Sequence, residues 1–159
     1  MIQKDNGPEN TTDYIIIEDS KHLIERGSGS IPSGAYEIYD LVGRALKSRF
    51  DRDDVSVDEA EDVVRKSNFK VGGTSFDVQD IVQEVLSNIG KKLSGSIRSQ
   101  WARVGETDTV LLSGGGAGIL KHHMRDVAHN IAVVEDPQNA NARGYHKRAI
   151  VLSRKLETK

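Results

Sequence analysis

The first clear hydrophobic pattern along the chain is Tyr14–Asp19, YIIIED, a β-branched run suited to a strand buried on both faces. Lys21–Arg26 follows as its return partner, and Asp19 with Ser20 supplies turn formers between them, so the pattern predicts a hairpin. Gly27–Gly34, rich in glycine and serine, reads as a loop. Beyond it Ala35, Ile38, Val42, Ala45 and Leu46 recur at three- and four-residue steps and stripe one face of a helix running to about Ser48. Pro32 and Ser33 stand just before that helix, where both suit a helix start.

Asp51–Asp54 is a charged connector, and Val57–Lys66 carries acids first and bases last, the order that complements a helix dipole. Phe69–Gly73 breaks this short helix. Asp77 then caps a long one, in which Val78, Val82, Val85, Ile89, Leu93, Ile97 and Trp101 keep helical spacing; Gly90 and Gly95 interrupt it. Thr109–Leu112 reads as a second buried strand, Ser113–Gly118 as a turn, Ile119–His129 as a helix and Ile131–Val134 as a third strand. After Asp136 and Pro137 a last helix is expected through Leu152, with fraying from Arg154. Strands alternating with helices predict an α/β fold in which helices pack on a mixed sheet that is at least partly parallel.

At 159 residues the chain has the size of one domain with one core. Its 22 basic and 24 acidic residues leave no basic surplus to draw in nucleic-acid phosphates or an anionic membrane, so neither direct nucleic-acid binding nor membrane association is expected. The absence of cysteine excludes disulfides, thiol nucleophiles and thiolate metal sites. Met1–Asn10 holds charges and amides where a signal peptide needs an apolar run, which points to the cytoplasm.

The strongest chemical signal is the strand ending in Ser113, Gly114, Gly115, Gly116 and Ala117, followed by Gly118. Side-chain-poor backbone there either lets a ligand approach closely or makes a tight strand-to-helix turn. No lysine with serine or threonine follows at P-loop spacing, and the dinucleotide fingerprint lacks its third glycine. Asp5, Gly7, Thr11, Thr12 and Asp13 either bring carboxylate and hydroxyl groups toward a phosphate or magnesium, or belong to a leader or turn. The segment GSGSIPSG before the first helix either receives an anion on its amides or simply connects. None of the five histidines stands in an HExxH pattern; His122 and His123 are expected in solvent, and Phe76 and Trp101 in the core.

Taken in order, TTDYIIIED, GSGSIPSGAYEIYDLV, DTVLLSGGGAGIL and VVEDPQNANARGYHK resemble the second half of a bacterial actin-like ATPase of the ParM/StbA plasmid segregation type. The resemblance spans Asp5 to Arg154 and implies the ribonuclease-H-like fold shared with actin and the heat-shock chaperone ATPases. It also implies a nucleotide, ATP or GTP with magnesium, held between two such domains, and a parent that associates head to tail into filaments and reaches plasmid DNA through an adaptor. By position, Asp5, Gly7, Thr11 and Thr12 resemble the second phosphate loop, D-x-G-x-x-T-x-D, in which the acid serves magnesium or the attacking water. One extra residue separates Gly7 from the threonines. Gly34 resembles the glycine beside the sugar and phosphates, Glu61 and Arg65 the polar pair beside the adenosine, and Ser113 to Ala117 the adenosine loop.

The resemblance divides the chain into residues 1–13, a remnant of the phosphate loop or a leader, residues 14–153, the second ATPase domain, and the tail 154–159. The first domain's D-x-G-x-x-x-x-K/Q motif is not found, so the isolated chain is expected to bind weakly and not to turn over. Two other readings stay open: a non-enzymatic interaction module, and half of a phosphotransferase of the sugar kinase or exopolyphosphatase type.

Overall fold

A computed structural model describes residues 11–19, 22–100, 109–128 and 130–157. β1 (Thr12–Glu18) pairs antiparallel with β2 (His22–Ile31), from Glu18 opposite His22 to Thr12 opposite Ile31. The hairpin is present as expected, but β2 runs on through most of the stretch expected as a loop. The register shifts between Tyr14 and Ile16, and Ser28 closes the irregularity: its Oγ accepts the Ile16 N–H at 3.0 Å and donates to the Ile24 carbonyl at 2.7 Å. At Gly29 a Cβ would come within 2.7 Å of the Tyr14 hydroxyl, so glycine makes room for that ring. Burial on both faces is not realised. Ile16 is buried, whereas Ile15 is 66% and Ile17 55% exposed, because among the described residues the hairpin has packed neighbours on one side only.

α1 (Ala35–Phe50) and α2 (Val57–Lys66) follow at the expected places. Glu37 lies in the first turn of α1 and Lys47 with Arg49 in the last, each favourable to the helix dipole. α2 starts with a capping box: the Ser56 hydroxyl accepts the Glu59 N–H and the Glu59 carboxylate accepts the Ser56 N–H. The segment read as a break is a second hairpin, β3 (Asn68–Val71) with β4 (Thr74–Asp77). Gly72 and Gly73 both take positive φ, 56° and 85°, the conformation a two-residue hairpin turn requires. Phe76 is 39% exposed, against the expectation of burial, and its ring rests on Phe50 at 5.1 Å.

α3 (Gln79–Gln100) starts where the Asp77 carboxylate accepts the Gln79 N–H. Trp101 lies outside the described residues. β5 (Val110–Leu112) pairs parallel with β6 (Ile131–Val133). β5 is not fully buried: Leu111 is 66% exposed, since nothing among the described residues packs on its side. The helix expected over Ile119–His129 is instead α4 (Ala117–Leu120), one 3-10 turn at Lys121–His123, and further turns. Its cause is tertiary. Gly90 of α3 receives the His123 backbone so closely that a Cβ there would lie 2.3 Å from the His123 carbonyl oxygen. α5 (Ala140–Glu157) follows a 3-10 turn at Pro137–Asn139 and continues past Arg154.

The core is where the striped faces meet: Ile38, Val42 and Leu46 of α1, Val63 of α2, and Val82 and Leu93 of α3 are all at most 3% exposed. Val110, Leu112 and Ile131 of the parallel pair pack against it. Helices thus pack on strands of both senses, which among the described residues form three two-stranded ladders.

Candidate functional site

The helix α1 begins without a side-chain cap. Gly34 at its N-cap is extended, with φ −149°, and its neighbours reach it from two directions. Thr12, first residue of β1, donates its Oγ1 hydrogen to the Ser33 carbonyl at 2.6 Å. From the other side Gly116 brings its backbone against Ala35, where a Cβ on the glycine would stand 3.7 Å from the Ala35 Cβ. Three segments distant in sequence therefore meet at the N-terminus of α1, the end where backbone amides point outward and the dipole is positive.

The glycine loop is fixed by the corner between β6 and α5. Gly114 adopts φ +94°, a conformation glycine takes at little cost, and its N–H donates to the Pro137 carbonyl at 2.7 Å. Ser113 Oγ lies 3.5 Å from Asn141 Oδ1. The corner is held by Arg143, which donates to the Asp136 carboxylate at 2.7 Å and to the Glu135 carbonyl, while Asn139 donates to the other Asp136 oxygen at 3.1 Å. Ser113 and Gly115 are exposed, Gly114 and Gly116 half-buried, and Ala117 buried. No described atom stands within 4 Å of where a Cβ would be at Gly114, Gly115 or Gly118. The loop thus presents open backbone rather than a sealed turn.

Glu61 and Arg65 form an ion pair one turn apart on α2. They connect to the corner through α1: Tyr39, one turn beyond Ala35, has its phenol pKa pushed up by burial and by the Glu61 carboxylate, with Arg65 opposing. On the opposite flank Lys92 of α3 donates to Glu37 at 2.8 Å. Burial raises the Glu37 pKa, but the Lys92 hydrogen bond leads the opposing interactions that together hold the carboxyl below its ordinary value.

Of the residues singled out in the sequence, Thr12, Gly34 and Gly114 to Ala117 are brought together, with Ser113 at the loop's edge. Glu61 and Arg65 lie one helix away, and Thr11 is exposed just before β1. Asp5 and Gly7 lie outside the described residues. Sequence reading missed Ala35, Tyr39, Pro137 and Arg143, which touch the site's members through packing or the main chain. An open groove of about 460 Å³ between α2 and the second hairpin, lined by Glu59, Lys66, Phe69 and Ser75, lies apart from this corner.

The sequence profile of the family described as archaeal actin homologue MreB-like, C-terminal, matches residues 7–126. No curated protein matches the chain. Among solved structures it is similar to Ta0583, an archaeal actin homologue in complex with ADP, at TM-score 0.76 and 17% identity over 89% of this chain and 46% of that one. It is similar also to MreB5 of Spiroplasma citri bound to ADP, at TM-score 0.74 and 17% identity over 94% of this chain and 53% of the other. A 15-stranded ParM filament from Clostridium botulinum gives TM-score 0.74 at 17% identity, over 86% of this chain and 41% of that one. The chain spans about half the length of these structures, and at such identity the likeness establishes the actin-like, ribonuclease-H-like fold. On the family profile, which covers most of its length, the chain belongs to the archaeal MreB-like actin homologues and carries their C-terminal domain.

Proposed function

We propose that this chain is the nucleotide-facing second half of a filament-forming, actin-like ATPase of the plasmid segregation type, and that it works against a companion half-domain. The observation that carries the reading is the meeting of Thr12, Gly34 and Gly116 at the N-terminus of α1, beside an open glycine loop. Fixed amides and a helix dipole suit a polyphosphate, and bare backbone suits the flat face of a ribose and base. The fit to ATP or GTP is supported further by two relatives, Ta0583 and MreB5, that were solved with ADP.

In this reading Gly34 faces the sugar and phosphates, Ser113 to Ala117 form the adenosine loop, and Glu61 with Arg65 lies beside the adenosine. Thr11 and Thr12 end the second phosphate loop, to which Gly7 belongs and whose acid, Asp5, serves magnesium or the attacking water. Magnesium would neutralise phosphate charge and orient that water. A single jaw leaves the phosphates hydrated and supplies half of the donors that transition-state charge needs, so the chain alone binds weakly and does not turn over. The parent assembles into cytoplasmic filaments and reaches plasmid DNA through an adaptor.

Equilibrium dialysis of the chain against ATP with magnesium tests this. Affinity in the high micromolar range or weaker, with hydrolysis at background, is expected. Rapid hydrolysis by the chain alone, abolished by Asp5→Ala, would overturn the half-site reading.

A further inference from the structure

Two ion pairs clamp α1 to α3. Arg49, in the last turn of α1, bonds both oxygens of Asp80 in the first turn of α3, at 2.8 and 2.6 Å. At the other end of α1 the Lys92 ammonium bonds both oxygens of Glu37, at 2.8 and 3.0 Å. The two helices therefore run antiparallel, and the second pair lies at the end of α1 that enters the candidate site. It is also the more shielded: the Glu37 side chain is 24% exposed, against 67% for Asp80.

The place of the Glu37 carboxylate gives this pair a bearing on a ligand. Glu37 is the third residue of α1, where a side chain reaches back toward the helix end. Ser33, just before the N-cap Gly34, shows how far it reaches. The serine hydroxyl is wholly buried and meets no hydrogen-bond partner within bonding distance among the described residues, yet it adjoins this carboxylate. Burial pulls the Glu37 carboxyl up, and Lys92 and then Ser33 hold it down. Thr12 bonds the carbonyl of the same serine. A carboxylate thus stands in the turn whose amides and positive dipole would receive an anion, and left uncompensated it would repel one. Asp40, a further carboxylate near Glu37, is taken by Arg44. Lys92 is placed by its helix, since two residues before it Gly90 receives the His123 backbone and at the helix end Gln100 accepts the Tyr14 hydroxyl hydrogen.

We propose that Lys92 is a positioning residue that sets the charge of the phosphate-receiving end of α1. By pairing with Glu37 it cancels the carboxylate built into the first turn, so the acid can favour the helix dipole without turning a phosphate away. The inference rests on the nucleotide reading above and adds to it a residue from outside the glycine loops, one that acts through Glu37 rather than by touching the ligand.

Amide-shift titration of ADP with magnesium into four proteins tests it: wild type, Lys92→Met, Glu37→Gln and the double variant. Dissociation constants are read at Thr12 and Gly116, away from both substitutions. A partly exposed bridge contributes little to stability, so all four are expected to keep the wild-type spectrum outside the first turn of α1. Lys92→Met leaves the carboxylate uncompensated and weakens ADP about fivefold, whereas Glu37→Gln leaves the ammonium uncompensated and tightens it by a similar factor. The double variant returns to within about twofold of wild type, because both charges have gone. A bridge that only fastened α1 to α3 would make both single changes act in the same direction. An ammonium that touched the phosphate would leave the double variant as weak as Lys92→Met. Either result, or four equal constants, would overturn the proposal and leave the nucleotide reading standing. A wild type without ADP shifts at Thr12 and Gly116 would remove the nucleotide reading and this inference with it.

Discussion

Gly90→Ala destabilises the chain by about 3 kcal/mol, the upper part of the range for overpacking a close contact. The added methyl would sit 2.3 Å from the His123 carbonyl oxygen, 2.7 Å from its Cβ and 2.8 Å from its carbonyl carbon. Two of these are backbone atoms, so relief requires moving the whole 3-10 turn off α3 rather than turning a side chain. Gly95, five residues further along the same helix, meets no described atom within 4 Å of its Cβ position. There alanine removes the entropic penalty of an interior glycine, and Gly95→Ala gains about 1 kcal/mol. Urea denaturation of the two variants therefore gives shifts of opposite sign. Equal shifts would show that the 3-10 turn does not rest on Gly90.

Arg143→Ala has the second largest expected effect, and it is local. Removing the guanidinium breaks its bonds to the Asp136 carboxylate and the Glu135 and Asp136 carbonyls, and these set the position of the Pro137 carbonyl that receives the Gly114 N–H. The pair is about half exposed, so global stability falls by only about 1 kcal/mol. Gly114, held at φ +94°, loses its amide partner and exchanges its hydrogen roughly tenfold faster. Core amides such as those of Val42 and Leu93 keep their protection. Hydrogen exchange followed by NMR separates the two. If Gly114 stays protected, the corner is held by something other than Arg143.

What could be read from the sequence, and what could not, follows from the range of each interaction. The α1 stripe and the charge order of α2 are local and periodic, and both helices stand where they were expected. The capping box Ser56-Val57-Asp58-Glu59 went unread, and so did the second hairpin, because the strands on either side of Gly72-Gly73 are too short to show alternation. Burial of the first hairpin was misjudged because three adjacent isoleucines look alike whichever side is covered, and only the packed structure leaves Ile15 and Ile17 open. The break after Leu120 has no local cause, being dictated by Gly90 some 30 residues earlier in the chain. In the candidate site the glycine loop and Gly34 stood out by composition. Ala35 and Pro137 did not, since each contributes only a methyl contact or a carbonyl.

The central claim is that the corner at the start of α1 is one jaw of a nucleotide site. Amide chemical-shift mapping of the isotope-labelled chain, titrated with ADP and magnesium, tests it most directly, because weak binding suffices and the location is read residue by residue. The account predicts shifts concentrated at Thr12, Gly34 and Gly114 to Ala117, with α5 from Tyr145 to Leu152 unmoved. Absence of any shift at these amides at millimolar nucleotide, or shifts confined to the groove between α2 and the second hairpin, would contradict it.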